Sequence, residues 1–192
     1  MTDADSHIAV LWSGGFDSTV MVYLLASKGY SVKPYHILIR NKGHNKDRKE
    51  TQAVDDVWDY MKDTYPNVEQ PTHVGYRIRP CDDRNRKMIE FIRDRYGENS
   101  MALGSYTDPS RLAQDNDSSN LSKVTGCDIT TFNTFDVNSK LEIASLIAPL
   151  HLENAIDKTW SCQLWWNDPC GKCYSCKERA DALKSINLDK TE

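Results

Sequence analysis

The sequence predicts an α/β chain, a Rossmann-like parallel sheet with helices on both faces followed by a cysteine-rich C-terminal tail. Three observations carry this. Short apolar runs alternate with stretches whose apolar residues recur at helical spacing. A glycine loop follows the first run directly, and four cysteines crowd into the fifteen residues from Cys162 to Cys176.

Ile8 to Trp12 reads as the first strand, and Ser13-Gly14-Gly15-Phe16-Asp17-Ser18 as the loop after it. From Thr19 to Lys28, Val20, Met21, Leu24 and Leu25 fall on one helical face, and Gly29 is a stop signal. Tyr35 to Ile39 is the second strand. A helix from about Asp47 to Tyr65 puts Val54, Val57, Trp58 and Met61 on one face and ends at Pro66. Val74 to Ile78 is a third strand, and Asn85 to Tyr96 a helix turning Met88, Ile89, Ile92 and Tyr96 inward. Met101 to Gly104 is a fourth strand. Residues 105 to 123, rich in Asp, Asn, Ser and Pro, read as a long surface loop of the kind that often carries function. Ser139 to Ile147 reads as a helix opened by a capping box of Ser139 and Glu142, and Ser175 to about Ile186 as the last helix.

The 192 residues suit one domain with a small appendage. With 24 Lys and Arg against 28 Asp and Glu, the net charge is −4, which argues against a broad phosphate-gripping surface. No apolar run approaches the roughly 20 residues that span a bilayer. The acidic start, Met1 to Ser6, lacks the layout of a secretory signal. A cytoplasmic protein without membrane attachment or stable nucleic-acid binding is expected.

In the glycine loop, two glycines let backbone amides approach an anion, and the helix behind offers unpaired N–H groups and the positive end of its dipole. The hydroxyls of Ser13, Ser18 and Thr19 add donors. Asp17 would repel a bare phosphate, so it implies Mg²⁺ between carboxylate and phosphate. The plainer reading is a tight turn capped by Asp17 or Ser18. Neither a Walker loop nor a dinucleotide fingerprint is present.

The cysteine spacing is Cys162-x7-Cys170-x2-Cys173-x2-Cys176. Short x2 steps let sulfurs converge on one ion, and the longer arm closes a tetrahedron. Four thiolates leave no open coordination position, so a structural zinc is expected, with an iron–sulfur cluster or ordinary cysteines as alternatives. Pro169 and Gly171 favour the tight turn, while Lys172, Lys177 and Arg179 offset thiolate charge.

The loop resembles the SGGxDS signature of PP-loop ATP pyrophosphatases, with their adenine nucleotide alpha hydrolase-like fold. Together with TWSCQLWWNDPCGKCYSCKERADAL it resembles the 7-cyano-7-deazaguanine synthase family. Weaker likenesses are the basic segment Lys42 to Glu50, Arg84-Asn85, Gly104 with Asp108, and Ser139-Lys140-x-Glu142. Tyr106 to Gln114 departs from the family's stretch beside the base pocket, and the chain is shorter than expected. The resemblance implies a PP-loop ATP-binding domain over 1–148 and a zinc-binding segment over 149–192. It further implies a homodimer that joins ammonia to 7-carboxy-7-deazaguanine at the expense of Mg-ATP. Stopping at the amide, a PP-loop tRNA-modifying activity of thiolation or lysidine type, and a non-catalytic zinc module are the alternatives.

On this resemblance Ser13, Gly14, Gly15, Phe16, Asp17, Ser18 and Thr19 bind the nucleotide. Asp17, Lys140 and Arg84 serve catalysis, and Asp17 with Asp108 holds magnesium. Lys140 reads equally as a solvated helix-start lysine, Asp108 as a turn residue before Pro109, and Arg84 as part of a charged helix face. Trp165, Trp166, Phe132 and Phe135 either stack on a base or pack a core. His36, His44, His73 and His151 show no metal spacing, and Cys81 and Cys127 have no motif.

Overall fold

The computed structural model describes residues 7–39, 46–77, 83–106, 118–162 and 168–188. Five parallel strands, β1 (His7–Leu11), β2 (Ser31–Ile39), β3 (Thr72–Tyr76), β4 (Ser100–Leu103) and β5 (Asp128–Thr130), lie in the order β3-β2-β1-β4-β5. That order reverses direction between β1 and β4. The reversal opens a crevice at the carboxyl ends of these two strands, where open α/β sheets bind ligands.

Helices α1 (Phe16–Ser27) and α2 (Lys46–Met61) return the chain over one face, and α3 (Arg84–Tyr96) and α4 (Ser118–Thr125) over the other. The pleat sorts the side chains. Ile8 and Val10 of β1 pack with Val20, Val54, Val57 and Met61, whereas Ala9 and Leu11 pack with Ile89, Ile92 and Leu121. The Rossmann-like fold class holds.

Several elements differ from expectation. β2 starts at Ser31, ahead of Tyr35, and takes Pro34 into an inner strand. Val32 bonds Asn67 and Glu69, so even-numbered residues aim their backbone groups toward β3. Pro34, with no N–H, therefore falls between the isolated Val32–Val68 bridge and the first true pair, Tyr35–Thr72. Part of the expected 105–123 loop is α4, and β5 pairs with β4 from Ser100–Asp128 onward. A three-residue strand preceded by polar helix residues carries too little periodicity to be read.

Asp83 caps α3 by accepting a hydrogen bond from Arg86 N, and Gly97 closes that helix in the left-handed region. The expected helix at 139–147 is the shorter α5 (Lys140–Ser145). Ser139 caps it by accepting from Glu142 N at 3.2 Å, but the Glu142 carboxylate accepts from Asn138 N, one residue before the reciprocal partner of a capping box.

α1 was expected to be amphipathic, yet ten of its twelve residues are buried. The chain after β5 accounts for this. Phe132 in a 3-10 turn, Ile143 of α5, Ala155 and Ile156 of α6 (Glu153–Ile156) and Ala182 of α7 (Tyr174–Leu188) join the cluster that holds α1. A helix apolar all round must be covered all round. Phe132 is fully buried, and Phe135 packs beside it with the Lys28 ammonium 5.2 Å from its ring centroid, so both are packing residues. Among the described residues no helix is long and apolar enough to cross a membrane.

Candidate functional site

The segment Ser13–Ser18 turns from β1 into α1 through a closed set of short bonds. Ser18 Oγ donates to Gly15 O at 3.2 Å, accepts from Ser13 N at 3.2 Å and lies 3.0 Å from Ser13 Oγ. Gly15 is the N-cap of α1 and no side chain caps the helix, contrary to the plain-turn reading with Asp17 or Ser18 in that role. The first-turn amides thus keep no side-chain partner, which suits an anion. Gly14 has φ +76°, and a Cβ there would lie 2.6 Å from Glu50 O of α2. Gly104, closing β4, lies against the start of α1: a Cβ would stand 2.4 Å from Ser18 Cα. Only hydrogen at both positions lets the loop sit where β1 and β4 part.

These elements and the C-terminal tail enclose a cleft of about 230 Å³. Its loop wall is Ser13, Gly15, Phe16, Asp17 and Ser18. Arg84 enters from the start of α3 and Lys140 from the start of α5. Lys140 Nζ donates to Asp17 Oδ1 and sits 4.8 Å from the Phe16 ring centroid, so it is not the solvated lysine of the alternative reading. Burial pushes the Asp17 carboxyl above its ordinary value; the Lys140 ammonium pulls it back, and the Glu178 carboxylate adds to the rise. Arg84 has no hydrogen bond or ion pair with another described residue, which leaves its guanidinium to the cleft. A smaller slot of about 50 Å³ opens beside it between Trp12, Tyr35, His36 and Met88 and shares Ser13, Glu50 and Arg84 with the cleft.

The tail supplies the remaining wall: Trp160, Ser161, Ser175 and Glu178. Trp160 N donates to Gly14 O at 2.8 Å, which ties the tail to the loop's own backbone. None of these four was foreseen as a site residue. The only signal was their place within the cysteine-rich stretch, because no local pattern tells a chain which distant loop it will face.

Cys162, Cys170, Cys173 and Cys176 converge as the spacing predicts, with all four sulfurs within 4.8 Å of one another. Tetrahedral thiolate sites with metal–sulfur bonds of about 2.3 Å place sulfurs about 3.8 Å apart, and Cys170 and Cys176 sulfurs lie 4.0 Å apart. Backbone amides point at the sulfurs as well: Cys173 N to Cys170 Sγ at 3.3 Å and Cys170 N to Cys162 Sγ at 3.4 Å. Without a cation, burial and the neighbouring sulfurs push the Cys176 thiol up to about 12. Four convergent sulfur donors of this kind can hold a metal ion.

Thr19 is a correction. It is fully buried, and its hydroxyl accepts from Trp12 Nε1 at 3.0 Å, so it braces β1 against α1 and does not reach the cleft. His36 is also buried, held between Trp12 O at 2.9 Å and the Thr51 hydroxyl at 3.2 Å. Cys127 is buried under α4 and β5. Asp108, Trp165, Trp166, Cys81 and His44 lie outside the described residues.

Residues 6–76 match the family model described as the tRNA methyl transferase HUP domain. Two curated proteins named 7-cyano-7-deazaguanine synthase, from Prochlorococcus marinus strains NATL2A and NATL1A, are 50% and 48% identical over 40 residues. The shared stretch is 21% of this chain and only 18% of each relative. A solved structure titled as a predicted subunit of tRNA methyltransferase from Methanocaldococcus jannaschii covers 74% of this chain and 86% of its own, at 13% identity and a TM-score of 0.39. The chain is thus similar, over its first three strands, to the HUP-domain family and, over a short half-identical stretch, to two proteins named 7-cyano-7-deazaguanine synthase.

Proposed function

We propose that this chain is an ATP-dependent carbon–nitrogen ligase that converts 7-carboxy-7-deazaguanine and ammonia to 7-cyano-7-deazaguanine. The observation that carries the reading is the half-identical stretch shared with proteins of that name, in a chain whose loop and tail meet at one cleft. The first-turn amides of α1, with Ser13, Gly15 and Ser18, receive the pyrophosphate. The small slot at the ends of β1 and β2 takes the adenosine. Asp17 and Asp108 are the carboxylates for Mg²⁺, whose contribution when bound is to neutralise charge building on the phosphates. Zinc is the proposed ion for the four sulfurs, and a homodimer the proposed assembly.

Carboxylates acylate poorly because oxide is a poor leaving group. The substrate carboxylate oxygen attacks the α-phosphorus, and pyrophosphate departs. Ammonia then attacks the acyl carbon, and AMP leaves with one oxygen of the former carboxylate to give the amide. A second ATP adenylates the amide oxygen; loss of that oxygen with AMP, and of two protons from nitrogen, gives the nitrile. The protein's part is to align carboxylate and α-phosphate and to stabilise the charge of the transition state. In this reading Arg84 draws in the substrate carboxylate, and the Lys140 ammonium, now paired with Asp17, follows charge developing at the α-phosphate.

The test is AMP and pyrophosphate release on supplying 7-carboxy-7-deazaguanine with ammonia, with mass spectrometry separating nitrile from amide. Absence of substrate-dependent AMP refutes the assignment. Asp17→Ala is expected to weaken Mg-ATP binding at least tenfold; unchanged affinity would return the loop to a mere turn. The HUP-domain match over 6–76 favours a second reading, a PP-loop tRNA-modifying enzyme. Tight tRNA binding with a steep salt dependence would support it over the first.

A further inference from the structure

Among the residues lining the cleft, Glu178 carries a carboxylate to which the proposed chemistry gives no role. It projects from α7 just beyond Cys176, and it has no hydrogen bond or ion pair with another described residue. It stands close enough to Asp17 for the two carboxylates to repel each other. A free carboxylate beside the site of an anionic nucleotide is costly unless a bound ligand brings donors to it.

The rest of that wall narrows the kind of ligand. Trp160 is pinned by its own groups: its backbone N–H goes to Gly14 O, and Nε1 donates to Cys162 O at 3.1 Å. With both N–H groups used, the indole offers a ligand only its ring face, near which the Lys49 ammonium stands 5.6 Å from the ring centroid. The cations Arg84 and Lys140 enter from other elements. An acceptor held in this cleft therefore meets two environments of opposite character. Its carboxylate is drawn to Arg84 and repelled by Glu178, and its other end has to be planar and rich in N–H donors.

We propose that Glu178 and Trp160 form the acceptor-base subsite, with the Glu178 carboxylate accepting two N–H bonds from the lactam and exocyclic-amine edge of a 2-amino-4-oxopyrimidine ring lying along Trp160. This rests on the ligase reading above and adds to it the group that selects a guanine-type base. The two donors of that edge are parallel and match the two oxygens of one carboxylate, the geometry that makes such pairs both strong and selective. Cys176 precedes Glu178 in the first turns of α7, so the helix that carries this carboxylate starts from the cysteine knuckle.

The test compares binding of 7-carboxy-7-deazaguanine with its analogue lacking the 2-amino group. Calorimetry on the full-length, metal-replete protein is run with a non-hydrolysable ATP analogue present, for wild type and Glu178→Gln. Wild type is expected to prefer the 2-amino base about 10- to 100-fold, the cost of leaving one charged hydrogen bond unmade. Glu178→Gln is expected to bind that base more weakly and to lose the preference, with its melting temperature unchanged. Equal binding of both bases to wild type, or an intact preference in the variant, overturns the subsite. So does a variant whose only defect is weaker Mg-ATP binding, which would assign Glu178 to the cation. Base-dependent AMP release by wild type separates these outcomes from failure of the ligase reading itself.

Discussion

Replacing Gly104 by alanine probes the close approach on which the cleft depends. The new methyl would stand 2.4 Å from Ser18 Cα and 2.5 Å from Ser18 N, about 1 Å short of the 3.4 Å at which ordinary contact begins. The obstructing atoms are helix backbone, so α1's first turn or the end of β4 must move. Overpacking of this kind costs about 1–3 kcal/mol, a fall in Tm of roughly 2–12 °C for a chain of this size. The same shift displaces the first-turn amides of α1 by about 1 Å, a misplacement able to cost about 100-fold in rate if they hold the nucleotide as proposed. Gly29→Ala is the control: φ there is +84° and a Cβ meets nothing within 4 Å, so it carries backbone strain of about 1–2 kcal/mol at the far end of α1. Thermal melts and ATP binding by calorimetry should separate the two. Gly104→Ala loses stability and nucleotide affinity together, and Gly29→Ala loses only stability. Wild-type ATP affinity in Gly104→Ala would refute the claim that this contact positions the loop.

Two further outcomes follow from the same structure. Chelation of the metal should lower Tm and weaken ATP binding together, because Trp160 N is bonded to Gly14 O and the tail walls the cleft; elemental analysis should find one zinc per chain, and an unchanged melting curve would dispose of the structural role. Burial alone would raise the Glu98 carboxyl, but donors from Lys33, Tyr35 and His7 bring it below its ordinary value of 4.5. The unfolded chain therefore binds more protons in this range, and Glu98's stabilisation is full above about pH 4.5 and lost as pH falls on through the lower folded value. Glu98→Gln should melt lower at pH 7 yet show a flatter decline in acid, and a decline parallel to wild type would refute this.

The legible parts of the molecule were those whose physics is local. The turn from β1 into α1 needs glycine and small hydroxyls within six residues, and the knuckle needs cysteines at x2 steps. Asp83 as a cap was not read because a single acidic residue before a basic stretch has many local uses; the Arg86 amide settles which. Tryptophan was weighed at 165 and 166, whereas the described cleft is lined by Trp160.

Sequence alone determined the fold class, the glycine loop between the first strand and helix, and the convergence of the four sulfurs, since each depends on neighbours in the chain. The tertiary structure decided the assembly of the site. Lys140 reaches Asp17 across 123 residues, and Gly104 sinks against Ser18. The tail buries the outer side of α1 and brings Glu178 to the cleft. These pairings arise from burying α1 on every side, a collective demand that no single segment displays.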